Sequence, residues 1–466
     1  MTYPFSQNWV IVIYSSPSKV RPICATTAIV EMDPKRFSPR KYSQEARRLV
    51  PRFFRSVGNY RFFAYLAILG PGIIAANAGN DASGIATYSS VGAQYGYSLL
   101  WALIPMTVSL IIVQEMCVRM GVVTGQGLAD LIREQFGVRW TAFVMLALLI
   151  ANTGVISSEF VGIAQASELF GIPRYITILL SAALVWWFVV KGSQKRVERI
   201  FLAMSLVFVA YIVSAFLSEP DWGQVGSSFI RPTLSADVGY LFMVMAMIGT
   251  TITPFMQVYV QSSVVEKRLD VEDLGMARAD VIAGTLFACA IAGFIIICAA
   301  ATLHSRGITE VDSAATAAEA FGPIAGVYAK YLFGIGLFGA AMLAMGVLPL
   351  ATAYSVSEAL GFEKGLSRSF REAPIFIGIF TGLIVIGVVV AMLPGIPQIK
   401  LLLITQCVNG LLLPIILYAI VSLANNEEIM GQHRNGPLLN VAAWAVTLTV
   451  SLLSIALIGK TIADMF

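Results

Sequence analysis

Eleven apolar stretches, separated by short polar links, decide what this chain can become. A helix needs about 20 apolar residues to cross the hydrocarbon core of a bilayer. Stretches that meet this requirement lie near 62–96, 98–120, 139–163, 173–191, 199–218, 236–266, 275–303, 323–357, 373–393, 398–424 and 437–459. Only 12% of the 466 residues are charged, against 57% hydrophobic, whereas an ordinary soluble domain carries about 25% charged residues. There is too little charge to coat several water-facing surfaces, so the outer surface is wetted by lipid. That excludes a secreted, nucleic-acid-binding or disordered protein, and no protein partner is inferred. Five cysteines (Cys24, Cys117, Cys289, Cys298 and Cys407) show no paired spacing and read as small hydrophobes.

Charge then orients the spans. Residues 1–61 hold 11 basic residues against three acidic ones and read as a disordered basic cytoplasmic tail. With that tail inside, 25 of the 31 Lys and Arg residues fall on the inner side and 6 on the outer. A bias that alternates loop by loop is what the positive-inside rule demands. The expected placement is therefore the cytoplasmic membrane, N-terminus inside and C-terminus outside.

Two spans carry defects. The first runs as a clean apolar helix to Ala76 and then reads Asn77-Ala78-Gly79-Asn80-Asp81-Ala82-Ser83-Gly84. A carboxylate at membrane depth costs several kcal/mol, roughly, and each glycine weakens a helix by ~1 kcal/mol. The sixth span has Gly249-Thr250-Thr251-Ile252-Thr253-Pro254, where proline removes a donor and threonines compete for backbone bonds. Unwound backbone survives in a membrane only where it lines a cavity or is buried in protein. Paired interruptions in corresponding helices of two halves mark the binding site of an inverted-repeat transporter. The expected fold is an all-α membrane protein of about 11 spans, a LeuT-like 5+5 inverted repeat with helices 1 and 6 broken. Its expected parts are the tail (1–61), a first repeat (62–218), a second repeat (236–424), and an added helix with the C-terminus (437–466).

The residues also carry a resemblance. Gly70-Pro71-Gly72, Asp81, Ala86-Thr87 and Tyr95-Gly96-Tyr97-Ser98-Leu99-Leu100-Trp101 resemble the first two helices of the NRAMP divalent-metal transporters. Gly249 to Pro254, followed by Gln261-Ser262-Ser263, is similar to that family's sixth helix, and Gln406 and Pro414 match its tenth. The likeness spans about 62–425. The family's Asp-Pro-Gly-Asn is here Asp81-Ala82-Ser83-Gly84, and its methionine and histidine flanking the helix-6 proline are Thr253 and Phe255. These departures bring the chain closer to the NRAMP-related magnesium transporters.

The resemblance implies a transporter, not an enzyme, with a divalent cation as cargo and no resident cofactor. Candidate substrate-binding residues are Asp81, Asn80, Ala78, Thr250, Thr253 and Gln406, of which Asp81, Ala78, Thr250, Thr253 and Gln406 are the metal ligands. A thioether favours soft transition metals, and its replacement by threonine leaves oxygen donors that suit a partly hydrated Mg²⁺. The expected activity is alternating-access transport of Mg²⁺, with Mn²⁺ tolerated and no strong proton coupling. Glu159 matches an acidic position of the family's third helix and is the candidate proton-pathway residue, but span 9 has no basic residue. Protons stay open as co-substrate, and membrane lipid is the expected surroundings. The alternatives are a proton-coupled Mn²⁺/Fe²⁺ transporter and a Na⁺-coupled amino-acid carrier on the same architecture.

Overall fold

In the computed structural model, residues 71–191, 209–319, 329–363, 372–395 and 397–464 are described, all within one compact unit of residues 61–466. The basic tail and Cys24 lie outside them. The first half contains α1 (Pro71–Asn77), α2 (Ala82–Tyr95), α3 (Leu103–Thr124), α4 (Leu128–Leu169), α5 (Arg174–Lys191), α6 (Val209–Leu217) and α7 (Trp222–Ile230). Then come α8 (Val238–Thr251), α9 (Pro254–Glu266), α10 (Leu274–Thr302), α11 (Ala314–Ala318) and α12 (Ala329–Leu360). The chain closes with α13 (Pro374–Met392), α14 (Gln398–Asn425), α15 (Glu427–Met430) and α16 (Pro437–Ala463). No strand occurs among the described residues.

Nine helical stretches among the described residues are long and apolar enough to cross a membrane. They correspond to spans 2 to 4 and 6 to 11. Span 1 appears as α1 and α2, with residues 62–70 outside the described part, and span 5 is described only from Val209. Both interruptions are present. Span 1 unwinds over residues 78–81, and span 6 over Ile252 and Thr253 before Pro254 opens α9 as its first residue. A proline there gives up an N–H that has no helical partner anyway. The first break is shorter than the sequence suggests, because Asp81 caps α2 and lets Ser83 and Gly84 join its first turn.

Two helices escape the hydropathy pattern. Helix α4 begins at Leu128 instead of near 139, bending at Gly137, whose φ is 80°. Helix α7 lies in what reads as a polar link, with Asp221 as its N-cap. The short external helix expected at Ser313–Ala320 forms as α11, capped by Ser313.

Helices α8, α9 and α12 form the buried centre, while α5 and α16 expose most of their surface. Helix α10 runs alongside both α1 and α2. Gly72 N–H donates to Asp280 (2.7 Å), and Asn80 donates to the Ala288 carbonyl (3.0 Å), two contacts with the same separation of 208 residues. At the end of the bundle where basic residues concentrate, Arg119 pairs with Glu115 (3.0 Å), as its i,i+4 spacing suggests, and reaches Asn435 and the His433 carbonyl. Arg278 adds a second bond to Glu115 (2.8 Å). The four described cysteines are buried. Of the neighbouring tryptophans, Trp187 is exposed, and Trp186 donates to Thr381 (2.9 Å).

Candidate functional site

The two breaks meet. The Thr250 hydroxyl, at the end of α8, donates to the Gly79 carbonyl (2.9 Å) across 171 residues of sequence. The approach is close because position 84 lacks a side chain: a Cβ there would stand 2.4 Å from the Gly79 oxygen and 2.8 Å from the Thr250 hydroxyl. Helix α14 closes the third side. A Cβ on Gly249 would lie 1.8 Å from the Gln406 carbonyl oxygen, so α8 and α14 touch backbone to backbone there.

Asp81 is buried at the N-terminus of α2, where its Oδ1 accepts from the Gly84 N–H (2.5 Å). The Gln406 amide nitrogen faces both of its oxygens, at 3.4 and 3.3 Å. The sequence counts one carboxylate at this site, but the fold brings a second. Glu159 arrives from the C-terminal half of α4 and accepts from Ala82 N–H (3.0 Å), Ser83 N–H (3.3 Å) and the Ser83 hydroxyl (2.9 Å). Two buried acids thus take three successive amides of one helix end.

Capping is what buried carboxylates do elsewhere in this protein. Asp280 takes Gly72 N–H at the start of α1, and Glu358 takes Ala129 N–H (3.4 Å) at the start of α4, with the Ser262 hydroxyl at 2.8 Å. A helix N-terminus carries about half a positive charge. One carboxylate already exceeds that, and the second leaves about one and a half negative charges uncompensated when both are ionised. No basic side chain among the described residues pairs with either acid. A divalent cation has the charge to balance this pair.

The remaining candidates divide. Ala78 is buried in the break, and its carbonyl accepts no hydrogen bond among the described residues, which leaves an oxygen free for a ligand. Thr253 is buried in the second break, its hydroxyl donating to the Thr250 carbonyl (3.3 Å). Asn80 turns the other way, its amide nitrogen committed to Ala288 on α10. Phe255 is fully buried, and the Met256 methyl packs against Gly79. No group of three His, Cys, Asp or Glu is placed to hold a metal among the described residues. A cation here would draw on carboxylate, amide, hydroxyl and carbonyl oxygens together.

Three polar residues, Ser158, Thr405 and Asn409, escaped the sequence reading, as did the partnership of Ser83. The Ser83 hydroxyl meets Ser158 (2.8 Å), and Thr405 donates to Ser158 (3.3 Å), extending a hydroxyl chain from Glu159 to α14. Asn409 donates to Gln406 Oε1 (3.1 Å). The signal for α14 was present: Thr405, Gln406 and Asn409 are polar residues within one turn of an otherwise apolar helix. Nothing local marks Ser83 and Ser158 as partners.

Comparison with known proteins shows the family and the fold. The family model Nramp, "Natural resistance-associated macrophage protein-like", matches residues 72–460. The divalent metal cation transporter MntH of Deinococcus radiodurans is 26% identical over 402 residues, covering 83% of this chain and 88% of that protein. The crystal structure of a manganese transporter of Eremococcus coleocola, in complex with an aromatic bis-isothiourea substituted compound, superposes with a TM-score of 0.71 at 18% identity, covering 90% of each chain. Mhp1, a nucleobase-cation-symport-1 family transporter, superposes with a TM-score of 0.53 at 14% identity, covering 85% of this chain and 93% of that one.

Proposed function

The chain belongs to the Nramp family, and from that membership we propose that it transports divalent metal cations by alternating access. The observation that carries the reading is the convergence of Asp81 and Glu159 on one helix N-terminus inside the membrane-spanning bundle. Ionisable groups at membrane depth are costly and mark ion pathways. In this reading Asp81 is the principal ligand, joined by Gln406, the Ala78 carbonyl and the hydroxyls of Thr250 and Thr253. Glu159 holds α2 in place and adds the second charge.

The donor set favours a hard ion. Mg²⁺ keeps several waters and takes one or two carboxylates, which supports Mg²⁺ as cargo with Mn²⁺ tolerated, as in the magnesium branch of the family. One relative is named a divalent metal cation transporter and one structural neighbour a manganese transporter, which keeps Mn²⁺ as the competing cargo. A Na⁺-coupled amino-acid carrier fits less well, because two acids beside the break repel a carboxylate substrate. Inward movement of a divalent ion gains about 2.3 kcal/mol per charge per 100 mV of inside-negative potential. The orientation that fits this direction is N-terminus inside, in the cytoplasmic membrane, with repeats at 62–218 and 236–424 and an added helix after 437.

The test is uptake into proteoliposomes offered Mg²⁺, Mn²⁺, Ca²⁺ and a mixture of amino acids under an inside-negative potential. Uptake of Mg²⁺ or Mn²⁺ with no amino-acid flux is expected. Amino-acid uptake without metal flux would overturn the reading, and Mn²⁺ uptake that Mg²⁺ cannot inhibit would reverse the order of the two metals.

A further inference from the structure

A cavity of about 440 Å³ opens at the end of the bundle where α2 finishes and α8 and α14 begin. Its lining includes Glu310 and Asp312, in the irregular link between α10 and α11. Between them Val311 is buried in the core. Glu310 and Asp312, on either side of it, are both exposed, so their carboxylates meet water at the cavity. Lys400 is the one basic residue lining the cavity. The lining charge is therefore two negative to one positive.

The cavity also reaches a buried polar group. Ser90 lines it, is 6% exposed, and its hydroxyl oxygen has no hydrogen-bond partner. Gln94, one turn further out on α2, and Gln398, at the start of α14, supply amides to the same wall. A buried hydroxyl without a partner costs about 1–3 kcal/mol, a penalty that a hydrated ion in the cavity relieves.

Three helix faces connect this cavity to the break. On α8, Met243 lines the cavity, Met247 follows at i+4, and Thr250 at i+7 bonds to Gly79. On α14, Ile399 and Leu403 line it, and Gln406 at i+7 faces Asp81. On α2, Ser90 leads back through Thr87 to Ser83, which bonds to Glu159. Residues at i, i+3, i+4 and i+7 share one helix face. Seven residues of helix rise about 10 Å, so the cavity floor stands roughly that far along the bundle from the carboxylates. Thr87 and Met247 are buried in between.

We propose that this cavity is a second cation site, an entry chamber that gathers hydrated divalent ions through Glu310, Asp312 and Ser90 before they pass to Asp81. The idea rests on the divalent-cation reading of the break. A chamber with an excess of one charge raises the local concentration of its counter-ion, and salt screens the effect. Ligation is through retained waters, as expected of Mg²⁺ and Mn²⁺.

The experiment measures initial Mn²⁺ uptake by intact cells expressing the full chain, at low ionic strength and in high salt. Glu310→Gln with Asp312→Asn is expected to raise the half-saturating Mn²⁺ concentration by about threefold to tenfold at low ionic strength. Lys400→Gln is expected to lower it, an opposite sign that a general packing defect does not produce. Both differences shrink in high salt. A half-saturation equal to the parent's at low salt, in both variants, overturns the chamber. A separate arm holds if the chain transports no metal at all: Mn²⁺ binding to the purified full-length Asp81→Ala protein, followed by the resonance signal of free Mn²⁺. Weak binding that disappears when Glu310→Gln and Asp312→Asn are added supports the chamber independently of transport. Identical titrations of the two proteins refute it.

Discussion

The amide nitrogen of Gln406 lies 3.4 and 3.3 Å from the two carboxylate oxygens of Asp81, so one side chain of α14 spans both arms of the acid. Its own oxygen is turned away and accepts from Asn409, while Asn409 Oδ1 is buried without a partner. A cation at Asp81 needs an oxygen from Gln406, not a nitrogen. Turning both amides over together supplies it, because Gln406 Nε2 can then donate to Asn409 Oδ1. The unpaired acceptor becomes paired in the loaded site.

Asn409→Asp keeps that acceptor and removes the amide that holds Gln406 Oε1 in the empty site. Its Mn²⁺ affinity is expected to rise about tenfold, the worth of roughly one hydrogen bond in a buried site. Calorimetric titration checks this, and parental affinity in the variant would mean that Gln406 does not turn.

Gly249→Ala tests the contact between α8 and α14. The added carbon would meet the Gln406 carbonyl at 1.8 Å, and backbone cannot yield as a side chain can. Forced separation of packed elements costs about 1–3 kcal/mol, so a lower melting temperature and loss of most uptake are expected. Gly226→Ala, on α7 with nothing within 4 Å of the new carbon, is the control and should leave uptake at the parental rate.

How much of this was readable in advance depends on where each signal resides. Asp81, flanked by glycines, and Pro254, preceded by threonines, announce their breaks locally, because each conflicts with an apolar helix. Gln406 and Asn409 stand out for the same reason on α14. The role of Glu159 does not. Its partners lie 76 and 77 residues earlier, and only the packing of α4 against α2 joins them. Helix α7 and the start of α4 were missed because their polar residues hide them from a hydropathy criterion, although Asp221 and the Gly137 bend punctuate both.

Asp81→Asn and Asp81→Ala separate charge from capping. Asparagine keeps an oxygen for the Gly84 N–H, whereas alanine removes the cap at a cost of about 1 kcal/mol. Uptake should be lost in both, with the melting temperature near the parent's in the first and lowered in the second. Parental uptake by the asparagine variant would remove Asp81 from the ion path.

Thr253→Met places a thioether in the second break. Sulfur ligands favour soft metals, so the variant should bind Cd²⁺ more tightly relative to Mg²⁺. Thr253 sits one residue before α9, and its hydroxyl already bonds within the break. Competition of Cd²⁺ against Mn²⁺ uptake reads the change. An unaltered ratio would show that position 253 does not face the ion.

Metal uptake is expected to proceed without acidifying the vesicle interior. A proton passenger needs a run of groups that can hand it on from the site to water. From Glu159 the hydroxyls of Ser83, Ser158 and Thr405 do form a run, but it ends in the helix itself: Ser158 also bonds to the Val155 carbonyl (2.7 Å) and Thr405 to the Leu402 carbonyl (2.9 Å). Phe255 stands where the resemblance puts the family's histidine, and this fully buried ring holds no proton to hand on. Helix α13 contributes no basic residue. Glu159 is also occupied as a cap, accepting from two amides and a hydroxyl, so its displacement would loosen the start of α2. The measurement is a pH-sensitive dye inside proteoliposomes, with a Mn²⁺ gradient imposed and the membrane potential clamped. Glu159→Gln sets an amide nitrogen against those donors and should slow uptake by weakening the cap, with internal pH flat in both proteins. A metal-dependent acidification in the parent that vanishes in Glu159→Gln would instead establish proton co-transport and make Glu159 its carrier.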